Sequence, residues 1–297
     1  GTGSRETEQF VSRLIKEHRL AIKYMITTES GASVYSASKV AIEEFPDQDV
    51  TTRGAISIAR RVQDPLAEYV KIPPEAIGVG MYQHDVNQSE LKKDLDREVE
   101  SIVNMVGVNL NTASEHLLKY ISGLGPKIAA SIVKYRSENG PFRNRKDLMK
   151  VTGLGPKAFE QAAGFCRIIN GDEPLDGTTV HPESYAIARE LLDKIGVSSE
   201  KLFEKRLELP ERLARIDVEE FSKEKNFNPI TVREVIGMLK KPGLDPREEL
   251  PQPLLRTDVL TMEDLAPGME LEGTVRNVVD FGAFVDIGVK QDGLIHK

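Results

Sequence analysis

Two segments of nearly identical sequence, thirty positions apart, combine glycines, a proline and a lysine: Ile121-Ser-Gly-Leu-Gly-Pro-Lys127 and Val151-Thr-Gly-Leu-Gly-Pro-Lys157. Glycine and proline between apolar helical segments allow a sharp turn, so that backbone N–H groups at the next helix start can converge on one anion. A lysine in the first helical turn adds positive charge there. The spacing therefore predicts two phosphate-binding turns, formed by Gly123, Gly125 and Lys127 and by Gly153, Gly155 and Lys157.

The same pattern is the signature of a tandem helix-hairpin-helix. No strand precedes either turn, which argues against a nucleotide-binding P-loop. The segment from 131 to 148 resembles the tandem unit of bacterial competence DNA receptors, and the resemblance implies binding to nucleic-acid backbones without reading sequence. Further backbone contacts are expected from Lys134, Arg143, Arg145 and Lys146. The alternative is a glycine-capped hairpin used only for packing, and the second copy is the weaker candidate because Ala158 and Phe159 follow its lysine.

Charge is distributed unevenly along the chain. The 40 Lys and Arg against 47 Asp and Glu leave a formal net charge of -7, which would repel a polyanion if spread evenly. Residues 119 to 169 instead hold ten basic and three acidic side chains. This segregation predicts one nucleic-acid-binding module among acidic helices. For any single lysine, an ordinary solvated helix face is the alternative.

Composition excludes several classes of protein. The 297 residues allow several domains, and 39% hydrophobic content without a membrane-length apolar run indicates a chain with no membrane partner. One cysteine, Cys166, excludes an internal disulfide and fits a cytoplasmic location, and its neighbours Phe165 and Ile168 predict a buried, inert thiol. No pattern calls for a cofactor.

Hydrophobic periodicity predicts the elements around the turns. The first 85 residues alternate helices (Arg5–His18, Ser36–Glu44, Thr51–Tyr69 disturbed by Pro65) with strand-like segments (Leu20–Thr28, Ala76–Tyr82), as in half of an α/β domain. A long amphipathic helix follows from about 86 to 106, and Asn111 or Thr112 is expected to cap the next helix. Short helices are predicted at 183–195, 202–209, 213–225 and 231–239, followed by a proline-rich connector to Pro253. The last thirty residues contain three segments of alternating apolar and polar residues, which predict three strands of a small OB barrel.

Four segments carry a resemblance to one family: Gly1-Thr-Gly-Ser-Arg-Glu-Thr7, Glu29-Ser-Gly-Ala-Ser-Val-Tyr-Ser-Ala-Ser38, Arg53-Gly-Ala-Ile-Ser-Ile-Ala-Arg-Arg61 with Gln63-Asp-Pro-Leu-Ala67, and Gly78-Val-Gly-Met-Tyr-Gln-His-Asp-Val86. They resemble the Tex family of bacterial transcription accessory proteins, of which this chain reads as an internal-to-C-terminal fragment. The resemblance implies a multi-domain, mainly α architecture. Its expected parts are a partial RNase H-like (YqgF) α/β domain at 1–85, a connecting helix at 86–110, a tandem helix-hairpin-helix at 111–170, a helical wedge and linker at 171–253, and an incomplete OB-fold β-barrel of the S-one type at 254–297.

The S-one resemblance implies a base-stacking role for three side chains, Phe281, Phe284 and His296. Phe284 has barrel core as its alternative. The expected partners are RNA, DNA or both, with single strands preferred. RNA polymerase or other transcription machinery is a further candidate partner, through a scaffold of acidic helices.

A metal-dependent nuclease or resolvase of the RNase H-like class is the enzymatic alternative. Such enzymes hold two metal ions with carboxylates from separate elements. Glu29, at the end of a predicted strand, and Asp85 are the candidate ligands, and His84 beside Asp85 is a weak third. Because this set is incomplete, and because the resemblance implies a domain that lost its catalytic residues, we expect a non-enzymatic protein.

Overall fold

The chain folds mainly into short helices, which the computed structural model describes over residues 4–242, 265–271, 273–287, 289 and 292–297. Two compact units are present, one formed by residues 1–29 with 251–297 and the other by residues 30–250. Within these residues the α-helices are α1 Ser4–Glu17, α2 Ala32–Ser36, α3 Lys39–Glu44, α4 Val50–Gln63, α5 Pro65–Tyr69, α6 Gln88–Val106, α7 Glu115–Leu118, α8 Pro126–Asn139, α9 Pro156–Ala162, α10 Tyr185–Lys194, α11 Leu209–Ala214, α12 Val218–Lys225 and α13 Pro229–Lys240. The strands are β1 Val108–Asn109, β2 Cys166–Arg167, β3 Thr274–Val279, β4 Gly282–Asp286 and β5 Gly293–His296.

Short polar caps decide where the first helices begin and end. Asp49 accepts a hydrogen bond from the Thr52 backbone N–H at 2.8 Å and starts α4. Asp64 then ends α4 and caps α5, whose first residue is Pro65. Proline lacks an N–H and is tolerated in the first turn but not in a helix interior. The predicted break at Pro65 is therefore confirmed.

The two predicted strands of the first 85 residues do not form. Residues 20–28 have no strand conformation apart from a single bridge at Tyr24, and Leu20, Ile22 and Ile26 are exposed. In the segment 76–82, Ala76 ends a 3-10 turn, Pro74–Ala76, and residues 77–82 are irregular. The prediction was wrong here because a strand-like residue pattern shows only that a segment is suited to a sheet. A strand forms only where another strand pairs with it.

One hydrophobic core holds the hairpin unit together, and it contains residues of both turns and of the helices around them. The parallel pair β1 and β2 joins its two ends, with Val108 opposite Cys166 and Asn109 opposite Arg167. Cys166 is fully buried, and burial raises the pKa of its thiol to about 12. The prediction of a buried thiol is confirmed.

The start of the hairpin unit differs from the prediction in one detail. Ser114, rather than Asn111 or Thr112, caps α7, its side chain accepting from the Leu117 N–H. The Asn111 side chain instead bonds both backbone groups of Phe142, at 2.8 and 3.0 Å. Asn111 therefore does not cap the helix, because its side chain is hydrogen-bonded to Phe142, which lies 31 positions later in the chain.

A second core, formed by residues 175–239, holds the helices that follow the hairpin unit. The helix predicted at 202–209 is a series of turns that ends where α11 begins, and the helix predicted at 213–225 is divided into α11 and α12 by a cap at Asp217. The proline-rich connector predicted up to Pro253 lies almost wholly outside the described residues.

The three predicted C-terminal strands are present as an antiparallel sheet in the order β3-β4-β5. Gly282 lies opposite His296, and Phe284 lies opposite Leu294. Gly282 has φ +156, and a Cβ there would come within 2.2 Å of the Ile295 carbonyl oxygen. The two strands approach so closely at this point that only glycine fits.

Candidate nucleic-acid interface

The first predicted turn connects α7 to α8. Gly123 adopts a left-handed conformation, with φ +84, and the next residue, Leu124, is buried in the core. Gly125 is then extended, and α8 begins at Pro126. A Cβ on Gly123 would come within 2.9 Å of the Ala158 carbonyl oxygen in α9, so this turn packs directly on the second hairpin. Glycine at 123 thus serves both the turn and the packing of the two hairpins.

The second turn repeats this backbone. Gly153 has φ +88, Leu154 is buried, and Gly155 is extended before α9 begins at Pro156. A Cβ on Gly153 would meet nothing within 4 Å, so this turn is open where the first is packed. The two turns therefore share one backbone conformation, a left-handed glycine followed by a buried leucine and an extended glycine.

The helix starts after the turns have no side-chain caps. Gly125 and Gly155 stand at the N-cap positions, where Ser, Thr, Asp or Asn usually accepts a hydrogen bond from the first-turn amides. A Cβ at either position would meet open space. Lys127 and Lys157 are exposed next to these amides. Each turn thus presents backbone donors and one positive charge to an anion.

The other basic residues of the segment differ in availability. Arg143 pairs with Asp172 at 2.6 Å, Lys134 lies 3.8 Å from Glu138, and Lys150 binds Asp147 at 2.7 Å, which raises the pKa of Lys150. Arg136 donates to the backbone carbonyls of Leu110 and Ala113. Lys127, Lys146 and Lys157 are exposed, with no ion-pair partner among the described residues. The positive charge most available to a ligand is therefore at the two turns and Lys146.

Arg145 does not belong to the interface, and its prediction as a phosphate contact was wrong. Only 1% of its surface is exposed. Its guanidinium donates to the backbone carbonyls of Cys166, Thr178 and Val180 at 2.5 to 2.7 Å and to the Tyr185 hydroxyl at 2.7 Å. Four oxygens supplied by later parts of the chain satisfy the buried charge. No short-range pattern distinguishes this arginine from Arg143.

The C-terminal sheet brings the three predicted stacking residues together. Phe284 and His296 share one sheet face, because opposite residues on paired strands point the same way and Phe284 and Gly282 are two apart. The Phe281 ring lies 6.2 Å from that of Phe284, nearly perpendicular to it. Phe281 is 51% exposed and Phe284 is half-buried, whereas Val285 on the opposite face is buried. This arrangement leaves Phe281 open to a ligand and gives Phe284 a partly structural position.

The metal candidates do not belong to a metal-binding group of side chains in the part of the chain that the structure describes. Glu29, His84 and Asp85 are exposed, the last two on the 3-10 turn Gln83–Asp85. Across the described ranges, no three His, Cys, Asp or Glu side chains are grouped so that they could hold a metal ion. None of the helices described is long and apolar enough to cross a membrane.

Fold and site together define a multi-domain helix-hairpin-helix protein with a C-terminal antiparallel sheet. Family models match the chain as a "Tex protein YqgF-like domain" at residues 1–63, a "Helix-hairpin-helix motif" at 103–167, an "HHH domain" at 173–247 and an "S1 RNA binding domain" at 264–297. The chain belongs to the Tex family. This confirms the family resemblance seen in the sequence.

Relatives share this similarity over the whole chain. The chain is 51% identical over 297 residues to the transcriptional accessory protein Tex of Neisseria gonorrhoeae and 52% identical over 297 residues to protein tex of Bordetella pertussis, covering 39% and 37% of these proteins. Over 349 residues it is 39% identical to human S1 RNA-binding domain-containing protein 1, in an alignment that includes 99% of this chain and 35% of the human protein. The chain thus spans less than half the length of these relatives.

The HHH domain at residues 173–247 was missed by sequence reasoning, which assigned this region to a helical wedge. Its turns have serine and asparagine where the upstream turns have glycine at the cap. A possible signal was Asn226-Phe-Asn-Pro229, in which a residue that tolerates positive φ stands three positions before a helix-starting proline.

Proposed function

We propose that this chain binds nucleic acid without reading its sequence, through backbone phosphates held at the two hairpin turns, and that it does so in transcription. The observation that carries the proposal is the pair of uncapped helix starts at Gly125 and Gly155, each followed by an exposed lysine. Backbone amides and lysines recognise phosphate but carry no base information. The role in transcription rests on the name of the Neisseria gonorrhoeae relative.

A second contact is proposed at the C-terminal sheet. Phe281, Phe284 and His296 would stack on unpaired bases, which gives the chain a preference for single strands of RNA or DNA. The match to an S1 RNA binding domain and the exposed ring of Phe281 support this. RNA polymerase is a further candidate partner, and it rests on the family's association with transcription alone.

The first prediction concerns the two lysines. Replacing Lys127 and Lys157 together with Glu should weaken binding to RNA and DNA of any sequence, since each substitution places a negative charge beside the proposed phosphate. The slope of log K against log salt concentration should become shallower by about one for each lost phosphate. Filter binding over a salt series, with single-stranded and duplex oligonucleotides of two unrelated sequences, measures both effects.

A charge-matched control separates the turns from net charge. Lys93 and Lys223 are also exposed lysines outside the hairpin unit, and K93E/K223E changes the total charge by the same amount. We expect this control to lose much less affinity and to keep its salt slope. Equal losses in the two double variants would assign binding to overall charge, and an unchanged K127E/K157E would assign both turns to packing.

A further inference from the structure

Four turns in the unit of residues 30–250 share one backbone plan. In each, a residue with positive φ is followed by an apolar residue packed into a core and then by an extended residue at the N-cap of the next helix. The positive-φ residues are Gly123, Gly153, Gly196 and Asn226, and the corresponding cap residues are Gly125, Gly155, Ser198 and Asn228. The two downstream turns lie within the matched HHH domain.

The downstream turns differ in what occupies their amides. The Asn228 side-chain oxygen accepts from the Ile230 backbone N–H at 2.8 Å, at the start of the twelve-residue helix α13. At the other downstream turn the N-cap is Ser198, whose side chain makes no capping hydrogen bond, and the exposed carboxylate of Glu200 follows it by two residues. At Asn228 a protein oxygen therefore already uses an amide of the kind that the upstream turns leave without a side-chain cap, and at Ser198 a carboxylate lies close to the helix start.

Side-chain charge also makes the downstream turns less favourable for an anion than the upstream turns. Glu200 and Ile230 stand two residues after their caps, where the upstream turns have Lys127 and Lys157. Residues 173–242 contain fourteen acidic and twelve basic residues, against the basic excess of the hairpin unit. At least six of these basic side chains are paired with carboxylates: Arg189 with Glu173, Lys194 with Glu224, Lys225 with Glu190, Arg212 with Glu208, Arg215 with Glu211 and Arg233 with Glu219.

We infer that Glu200 and Asn228 close the downstream pair of turns to phosphate, and so confine backbone binding to the upstream pair. The inference rests on the proposed function of the upstream turns. An amide that already donates to a protein oxygen has no free donor to offer, and a carboxylate at the site repels a phosphate. The two pairs of turns thus serve different purposes on one backbone plan, because serine and asparagine have replaced glycine at the caps.

Opening one closed turn tests the inference. Asn228→Gly with Ile230→Lys gives α13 the glycine cap and lysine of the upstream turns. The fold should tolerate both changes, because glycine is nearly as good an N-cap residue as asparagine and Ile230 is 63% exposed. The double substitution is made in the full chain carrying K127E/K157E, so that the upstream turns no longer mask a new site. I230K alone in that background adds the charge without freeing the amide.

We expect N228G/I230K to bind a labelled DNA duplex more tightly than I230K alone, with a salt slope steeper by about one. Melting curves confirm that both variants fold. Equal binding by the two variants, with K127E/K157E weaker than wild type, would overturn this inference and leave the proposed function intact. Wild-type affinity in K127E/K157E itself would instead overturn the proposed function.

Discussion

Arg143 and Arg145 stand two positions apart, and the structure gives them opposite surroundings. Arg143 forms an exposed ion pair with Asp172, and Arg145 is buried among carbonyl oxygens. An exposed ion pair contributes little because water and salt screen it, whereas removing a buried, fully bonded charge leaves its partners without hydrogen bonds. Arg143 therefore has a surface role, whereas Arg145, two positions later, has a structural role.

The second prediction contrasts these two arginines. Arg145→Ala should destabilise its surroundings by about 3–5 kcal/mol, and Arg143→Ala by less than about 1 kcal/mol. Cys166 reports the difference, because its carbonyl accepts from Arg145 and its buried thiol reacts only when the region opens. Alkylation of this single cysteine should be about a hundred-fold faster or more in R145A. Similar alkylation rates in the two variants would contradict the structural role of Arg145.

The third prediction concerns the glycine caps. Gly125→Ala and Gly155→Ala meet open space and have φ of -71 and -90, so both should fold normally, with a stability within about 1 kcal/mol of wild type because the lower entropy of the unfolded chain offsets the poorer N-cap. If a phosphate approaches these caps, an added methyl group obstructs it. Loss of one charge-assisted hydrogen bond then lowers affinity by about ten-fold.

Gly237→Ala is the matched control for these variants. Gly237 lies inside α13, a Cβ there also meets open space, and alanine should stabilise the helix by about 1 kcal/mol. Thermal melting measures the stability of all three variants, and filter binding measures their affinity for nucleic acid. Undiminished binding by the cap variants would mean that no ligand approaches the turns closely.

At the scale of elements, the hairpin turns were predictable because their geometry is encoded locally. Glycine permits the left-handed residue, and proline is suited to the first helical position. The strands at 20–28 and 76–82 were predicted wrongly, since pairing depends on residues elsewhere in the chain. Arg145 was misplaced for a similar reason: its carbonyl partners follow it by 21 to 35 positions. Local patterns therefore predicted the turns, and long-range contacts decided which charges are available.

The fourth prediction concerns the C-terminal sheet. Phe281→Ala should weaken binding to single-stranded RNA or DNA by about ten-fold, because stacking on one base contributes about 1–3 kcal/mol. Duplex binding should change little, since paired bases cannot reach the ring. Phe281→Tyr keeps an aromatic face and serves as the control. Equal losses for single strands and duplex in F281A would place the single-strand site elsewhere.

At the scale of the whole molecule, we propose that the chain is not a nuclease. Metal-dependent cleavage of this class requires carboxylates that converge on two ions. Among the residues that the structure describes, no three His, Cys, Asp or Glu side chains are grouped around Glu29, Asp85 or any other position so that they could hold a metal ion. The fifth prediction is that Mg²⁺ or Mn²⁺ produces no cleavage of RNA, duplex DNA or branched junctions. Electrophoresis of end-labelled substrates measures this, and cleavage that disappears in E29Q would contradict it.

The pairing of β1 with β2 has a mechanical consequence. These strands stand where the chain enters and leaves the hairpin unit, and they run parallel, with Leu110 donating to the Arg167 carbonyl at 2.9 Å. A pull on the flanking chain in opposite directions therefore slides the strands past each other and loads their hydrogen bonds together, rather than opening them one after another. Shear of this kind resists force better than unzipping does. The unit that holds the proposed phosphate turns is thus connected so that tension along the polypeptide bears first on this strand pair.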